Sequence, residues 1–210
     1  MTASYTDAVL LAIDSSAGTS VAVIDYEFGV LAERTIPDGF RHAEVIGELI
    51  RDVLAESDAT VATLAGVAIG VGPGPFTGLR VGMAAGQAFA VAAGKPLIGV
   101  VSHDAIAASH YASGGWGEVL IVTDARRREF YWSRYGGLDE IGLPLRLEGP
   151  AIAKPDDLPS AAKRIDAETV SAASVGLLGE RLRRAGRRTS TEPLYLRSPD
   201  VTLSAPKRVS

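Results

Sequence analysis

Short apolar runs and helical stripes alternate along this chain. Val9-Leu10-Leu11-Ala12-Ile13 is continuous and β-favouring, closes on Asp14-Ser15-Ser16-Ala17-Gly18-Thr19-Ser20, and is followed at once by Val21 to Ile24, which predicts strand, polar turn, strand. Between Arg41 and Glu56, Val45, Ile46, Leu49, Ile50, Val53 and Leu54 recur at helical spacing with Glu44, Glu48, Arg51 and Asp52 opposite them, the pattern of an amphipathic helix. Gly66 to Val71 predicts a buried strand that enters the loop Gly72-Pro73-Gly74-Pro75-Phe76, after which Thr77 caps a helix lasting to about Ala93. Pro96 to Val101 predicts a further strand, and Ser102 caps a short helix to about Ala112.

The glycine-rich break Gly114-Gly115-Trp116-Gly117 places a boundary between two lobes within residues 101–117, dividing the chain into 1–105 and 106–210. Beyond it, Glu118 to Asp124 repeats the plan of the first strand, an apolar run closing on an aspartate, with a returning strand from Glu129 to Tyr135. Asp14 and Asp124 thus hold equivalent places, which implies an internal duplication and an α/β fold of two related lobes. The second turn, Ala125-Arg126-Arg127-Arg128, lacks the small hydroxyl residues of the first. Residues 136–160 show no clear period, Val175 to Ala185 predicts a last amphipathic helix, and Pro193, Pro199 and Pro206 predict an extended tail.

Composition narrows the classes. With 210 residues, 47% of them apolar and 22% charged, the chain can build one or two cores and is not of disordered composition. The absence of cysteine excludes thiol nucleophiles, cysteine zinc sites and iron–sulfur clusters. No apolar run approaches the ~20 residues of a membrane span, and Met1 to Asp7 has no cationic leader pattern, so a cytoplasmic protein is expected. The net charge of −4 divides into −8 over residues 1–120 and +4 over residues 121–210, so the two halves present different fields to partners.

Candidate chemistry lies first in Asp14, Ser15, Ser16 and Thr19. An acid beside hydroxyls and turn N–H groups is what a phosphate-holding hairpin needs, although an ordinary polar turn uses the same residues. The loop Gly72 to Gly78 has neither P-loop nor dinucleotide-fold spacing. In the helix that follows, Gly78, Gly82, Gly86, Ala90 and Ala93 form a stripe of small residues, which either packs inside the molecule or lets a second chain approach closely. One side of this helix is expected to pack on the sheet and the other to meet both the amphipathic helix 41–56 and a second protein chain, with Arg80 either a solvated side chain or poised to pair with a carboxylate beyond this domain. The three histidines, His42, His103 and His110, assemble no metal site, because His103 and His110 stand roughly 10 Å apart along a helix. The clusters Arg126 to Arg128 and Arg181 to Arg188 could meet RNA phosphate, but no aromatic residue interleaves with either in the sequence.

Taken together, Leu11-Ala12-Ile13-Asp14-Ser15-Ser16, His42-Ala43-Glu44, Gly70 to Gly82, Asp124-Ala125-Arg126, Glu129-Phe130-Tyr131 and Pro193-Leu194-Tyr195-Leu196-Arg197 resemble the TsaB family, bacterial accessory proteins of tRNA threonylcarbamoyladenosine synthesis. The resemblance implies two lobes of the actin-like or hexokinase-like ATPase (RNase H-like) fold. It also implies a non-catalytic role, since the catalytic relative TsaD holds a metal with two histidines at i, i+4, a pair that this chain lacks. The implied partners are TsaD, as a heterodimer, and the ATPase TsaE in a larger complex, with tRNA met only through that complex and a homodimer formed by the chain alone. The interface so implied comprises His42, Ile46, Ile50, Thr77, Gly78, Arg80, Gly82, Gly86 and Ala90; no cofactor, metal or catalytic residue is expected, and Asp14, Ser15, Ser16 and Thr19 remain a weak nucleotide candidate. The competing expectation is an independent ATPase or small-molecule kinase of the same fold.

Overall fold

The structure, a computed structural model, describes residues 9–37 and 42–197. Two sheets carry the architecture. The first contains β1 (Val9–Asp14), β2 (Thr19–Asp25), β3 (Gly29–Ile36), β4 (Leu64–Gly70) and β5 (Leu97–Val100), in the order β3-β2-β1-β4-β5. The second contains β6 (Val119–Asp124), β7 (Phe130–Leu138), β8 (Pro144–Ala153) and β9 (Lys163–Asp166), in the order β8-β7-β6-β9. In both, the aspartate-ended strand lies between an antiparallel partner and a parallel one, β1 between β2 and β4, β6 between β7 and β9. The duplication read from two short aspartate-ended runs therefore extends to four strands in one order.

Helices α1 (His42–Glu56) and α2 (Phe76–Ala93) cover one face of the first sheet, where Leu11, Ile13, Val21, Val67 and Ile69 meet Val45, Leu49, Val53, Leu79 and Met83. The opposite face, with Leu10, Ala12, Ile24 and Ala68, is covered by α4 (Ala172–Arg184) through Ala173, Val175 and Leu178. Helix α3 (Ser102–Ala112) lies against α4 and presents Ala107 and Tyr111 to Val119, Ile121 and Tyr135 of the second sheet. Strands β1 and β4, buried on both faces, are accordingly continuous apolar runs rather than alternating ones. Helix α4, which a division at 105/106 assigns to the second lobe, thus packs on the first sheet.

Three strands escaped the sequence reading. Strands β3 and β8 are sheet edges with mostly half-exposed side chains, β9 has only 4 residues, and β8 contains Gly149 and Pro150 near its end. None buries enough surface to impose a clear period. Two caps also differ. The N-cap of α2 is Pro75 and that of α3 is Val101, so Thr77 and Ser102 lie inside their helices. The tail beyond Arg197, with Pro199 and Pro206, lies outside the described residues.

Candidate functional site

Asp14 closes β1 at the sheet centre and is buried. Its Oδ1 accepts the Ser16 N–H (2.7 Å) and the Ser16 hydroxyl (2.6 Å), and its Oδ2 accepts the Ser102 hydroxyl (2.6 Å). Burial pushes the carboxyl pKa above its usual value, against the pull of those three hydrogen bonds. Gly70 must lack a side chain here, because a Cβ would stand 1.8 Å from Asp14 Oδ2.

The other members of the turn are also spent inside the molecule. The Ser15 hydroxyl donates to the Gly78 carbonyl (2.7 Å) and accepts the Gly82 N–H (3.0 Å), inserting itself between two α2 backbone groups that stand at helical i, i+4 spacing. The Thr19 hydroxyl meets His42 Nδ1 at 2.6 Å. The loop before α2 presses on the turn so closely that a Cβ on Gly74 would lie 2.7 Å from Ser16 Cα. Ser15, Ser16 and Thr19 are all buried. The hydroxyls of Ser15, Ser16 and Thr19 and both oxygens of Asp14 are thus all engaged within the fold, and the four residues knot β1, α1, α2 and α3 together.

The same geometry corrects the reading of the small-residue stripe. A Cβ on Gly78 would stand 2.6 Å from His42 Nε2, one on Gly82 2.1 Å from Ser15 Oγ, and one on Gly86 2.3 Å from Ile69 Cγ2. Gly78, Gly82, Gly86 and Ala90 therefore face the molecule's own turn, helix α1 and sheet, and His42 and Ile46 are buried with them. Of the nine residues expected at an interface, only Ile50, Thr77 and Arg80 reach solvent. The outward face of α2 is instead formed by Ala84, Gln87, Ala88, Val91 and Ala92, uncharged and open, with Val91 77% exposed. Ala43 and Gly47 are exposed on α1. The spacing of 84, 88 and 91 was visible in the sequence, but a helix apolar almost all round gives no sign of which side the sheet takes.

Arg80 does not await a carboxylate within the fold. Its guanidinium carbon lies 3.7 Å from the Phe76 ring centroid, and its Nε donates to the Tyr195 hydroxyl (2.6 Å), while the Phe76 and Tyr195 rings stand 4.7 Å apart. The tail thereby reaches α2, having first donated the Leu194 N–H to the Val71 carbonyl (2.8 Å).

Between the sheets, the second turn departs from the first. The Asp124 side chain is 61% exposed, and Arg126, Arg127 and Arg128 take φ of 64°, 56° and 61°, a left-handed conformation that costs L-residues energy. Arg197 clasps the turn by donating to the Ala125 carbonyl (3.3 Å) and pairing with Glu129, and the Tyr131 hydroxyl reaches the Gly74 carbonyl (3.3 Å). Cavities of about 400 and 250 Å³ flank Pro75 and Arg126. The smaller is lined in part by His42, Asp124 and Glu168, but no group of His, Asp or Glu placed to hold one metal ion occurs among the described residues. His103 is buried between the Ser133 (2.8 Å) and Thr123 (2.9 Å) hydroxyls, and burial, reinforced by Arg146, lowers its pKa to about 3, so the ring is a neutral bridge from α3 to the second sheet.

No described helix is long and apolar enough to cross a membrane. The family model for tRNA N6-adenosine threonylcarbamoyltransferase, TsaD, matches residues 30–177. An uncharacterized Mycobacterium tuberculosis protein is 38% identical over 201 residues, covering 91% of this chain and 93% of that one. The Escherichia coli tRNA threonylcarbamoyladenosine biosynthesis protein TsaB is 32% identical over 130 residues, covering 62% of this chain and 56% of that protein. Among solved structures, YeaZ from Pseudomonas aeruginosa superposes with a TM-score of 0.76 at 25% identity, over 90% of this chain and 100% of that one. With the Asp14 turn, the Gly70–Gly82 segment and the duplicated sheet order in place, the chain belongs to the TsaD family and, within it, is of the TsaB type.

Proposed function

We propose that this chain is a non-catalytic subunit in tRNA threonylcarbamoyladenosine biosynthesis, docking through the outer face of α1 and α2 on a TsaD-type enzyme that modifies the adenosine beside the anticodon. The family relationships support the pathway. The observation that carries the docking is the run of Ala84, Ala88 and Val91, an uncharged apolar ridge on a helix whose other faces are occupied by its own fold. Small side chains on such a ridge let a partner helix approach closely, and the flanking Arg80, held flat by Phe76 and Tyr195, supplies a fixed cation at its edge. In this reading TsaE joins through the complex, tRNA is modified within it, the isolated chain pairs through the same ridge, and the complex works in the cytoplasm, where its substrate is.

An independent ATPase is disfavoured by the Asp14 knot, which engages both carboxylate oxygens and the Ser15, Ser16 and Thr19 hydroxyls in hydrogen bonds within the fold, although Ser16 borders the smaller cavity. The deciding experiment is co-purification with TsaD of Val91→Arg and Ala88→Arg variants. Retained folding by thermal melting with loss of TsaD is expected, because a buried unpaired charge at an interface costs several kcal/mol. Undiminished capture, or low-micromolar binding of magnesium–ATP by the chain alone in calorimetry, overturns the proposal.

A further inference from the structure

The arginine-rich end of α4 lacks aromatic neighbours in the sequence, but the fold supplies them. Arg181, Arg183, Arg184, Arg187 and Arg188 crowd the last turns of the helix and the residues that curl back on it, where Gly186 N–H meets the Arg183 carbonyl (3.0 Å) and Arg187 N–H meets the Leu182 carbonyl (3.0 Å). Across this end lies the turn from β2 to β3. Arg184 stacks on Tyr26 with its guanidinium carbon 3.9 Å from the ring centroid, and Phe28, two residues on, is 71% exposed. A cavity of about 400 Å³ opens beside them, lined in part by Tyr26, Ser109, Leu177 and Arg181.

Helix-dipole stabilisation accounts for one or two cations at a helix C-terminus but not for five. Acidic compensation is partial, three acids against five arginines: buried Glu180 pairs with both Arg183 and Arg184, and the facing turn carries exposed Glu27 and buried Asp25, whose carboxylate accepts the Glu27 and Phe28 N–H groups. Arg183, Arg184, Arg187 and Arg188 are all exposed. This concentration of positive charge sits on a chain whose first 120 residues carry −8. Arginine forks suit phosphates, and a solvent-facing Phe beside a stacked Arg–Tyr pair suits an unstacked base. An acidic protein surface would use the charge but has no need of the rings.

From this combination we infer that the α4 end, with Tyr26 and Phe28, is an RNA-binding surface for looped or single-stranded RNA. The choice of RNA rests on the proposed role in tRNA modification, and the surface lies away from the α1/α2 ridge, so each can fail alone. The test titrates the full chain into fluorescein-labelled unmodified tRNA and follows anisotropy, with polyglutamate as the competing anion. Engagement of four arginines predicts an affinity that falls about 50-fold between about 50 and about 200 mM salt. Arg187→Glu/Arg188→Glu is expected to weaken binding by at least about tenfold and to reduce the log–log salt slope by about 1.4. Phe28→Ala is expected to weaken it about fivefold or more with the slope unchanged, the mark of stacking. Both variants should melt like the parent and retain TsaD, which separates this inference from the docking proposal. Absence of binding at low salt, insensitivity to these substitutions, or equal competition by polyglutamate overturns it.

Discussion

A methyl group at Gly82 tests whether the small-residue stripe of α2 is internal. In Gly82→Ala the new Cβ would fall 2.1 Å from Ser15 Oγ and 2.8 Å from Ser15 Cβ, so the serine must move or α2 must shift off the sheet. Overpacking of this kind costs about 1–3 kcal/mol. Displacing the Ser15 hydroxyl also leaves that buried group without its two partners, the Gly78 carbonyl and the Gly82 N–H, which can close on each other as an i, i+4 pair, for about 1–3 kcal/mol more. Alanine recovers about 1 kcal/mol of helix propensity, which leaves a net loss near 3 kcal/mol. For a chain of this length that is a fall in Tm of about 6–12 °C. Gly47→Ala on α1 is the control: a Cβ there meets nothing within 4 Å, and the same propensity gain of about 1 kcal/mol should raise Tm slightly. Calorimetric melting of both variants decides the point, and a Ser15→Ala background should remove about 1–2 kcal/mol of the Gly82→Ala penalty by making room. A Gly82→Ala protein that melts at or above the parent temperature, yet fails to capture TsaD, would restore the stripe to the exterior and refute the packing described here.

Two of the buried titratable groups, His103 and Asp14, give predictions of opposite sign. His103 titrates at about 3 when folded and near 6.5 when unfolded, so the stability it supplies is complete above about pH 6.5 and is lost as pH falls, at up to about 1.4 kcal/mol per unit. Urea titrations at about pH 7 and about pH 5 should show this loss, and His103→Gln should flatten it; an equal slope in the variant would assign the acid sensitivity elsewhere. Asp14 has a raised pKa, so its ionisation as pH rises works against the folded state. Asp14→Asn keeps the shape of the knot and should become relatively more stable as pH increases, while leaving reconstituted threonylcarbamoylation with TsaD unchanged. Loss of that activity with normal melting would identify Asp14 as part of the chemistry.

What the sequence made legible was whatever is enforced by burial on a regular period. The continuous runs of β1, β4 and β6 and the stripe of α1 stand within about two residues of where they were expected, because only one placement buries them. The duplicated aspartates were legible for the same reason. Their environments were not: Asp14 is enclosed by Ser102, which arrives from 88 residues away, whereas Asp124 ends a strand at an open turn. Nothing local distinguishes a carboxylate that a distant serine will cover. The aromatic side of the α4 surface was hidden likewise, since Tyr26 and Arg184 lie far apart in the sequence and meet only because α4 crosses back over the first sheet.

The misassigned helix face shows how packing and docking can leave one sequence signature. Glycine and alanine at four-residue spacing permit close approach, and the pattern is indifferent to whether the approaching group belongs to the same chain. Here it is the same chain, because the polar turn after β1 needs backbone partners for Ser15 and α2 can offer them only where no Cβ intervenes. With that face committed, the opposite side of α2 need only be something that the rest of the fold does not require. Ala84, Ala88 and Val91 satisfy no internal contact that glutamate or lysine would break, and a solvated helix face ordinarily carries such charges. In the proposed docking, their apolar character is what a surface outside this chain would meet, on the side of α2 directly behind the glycines.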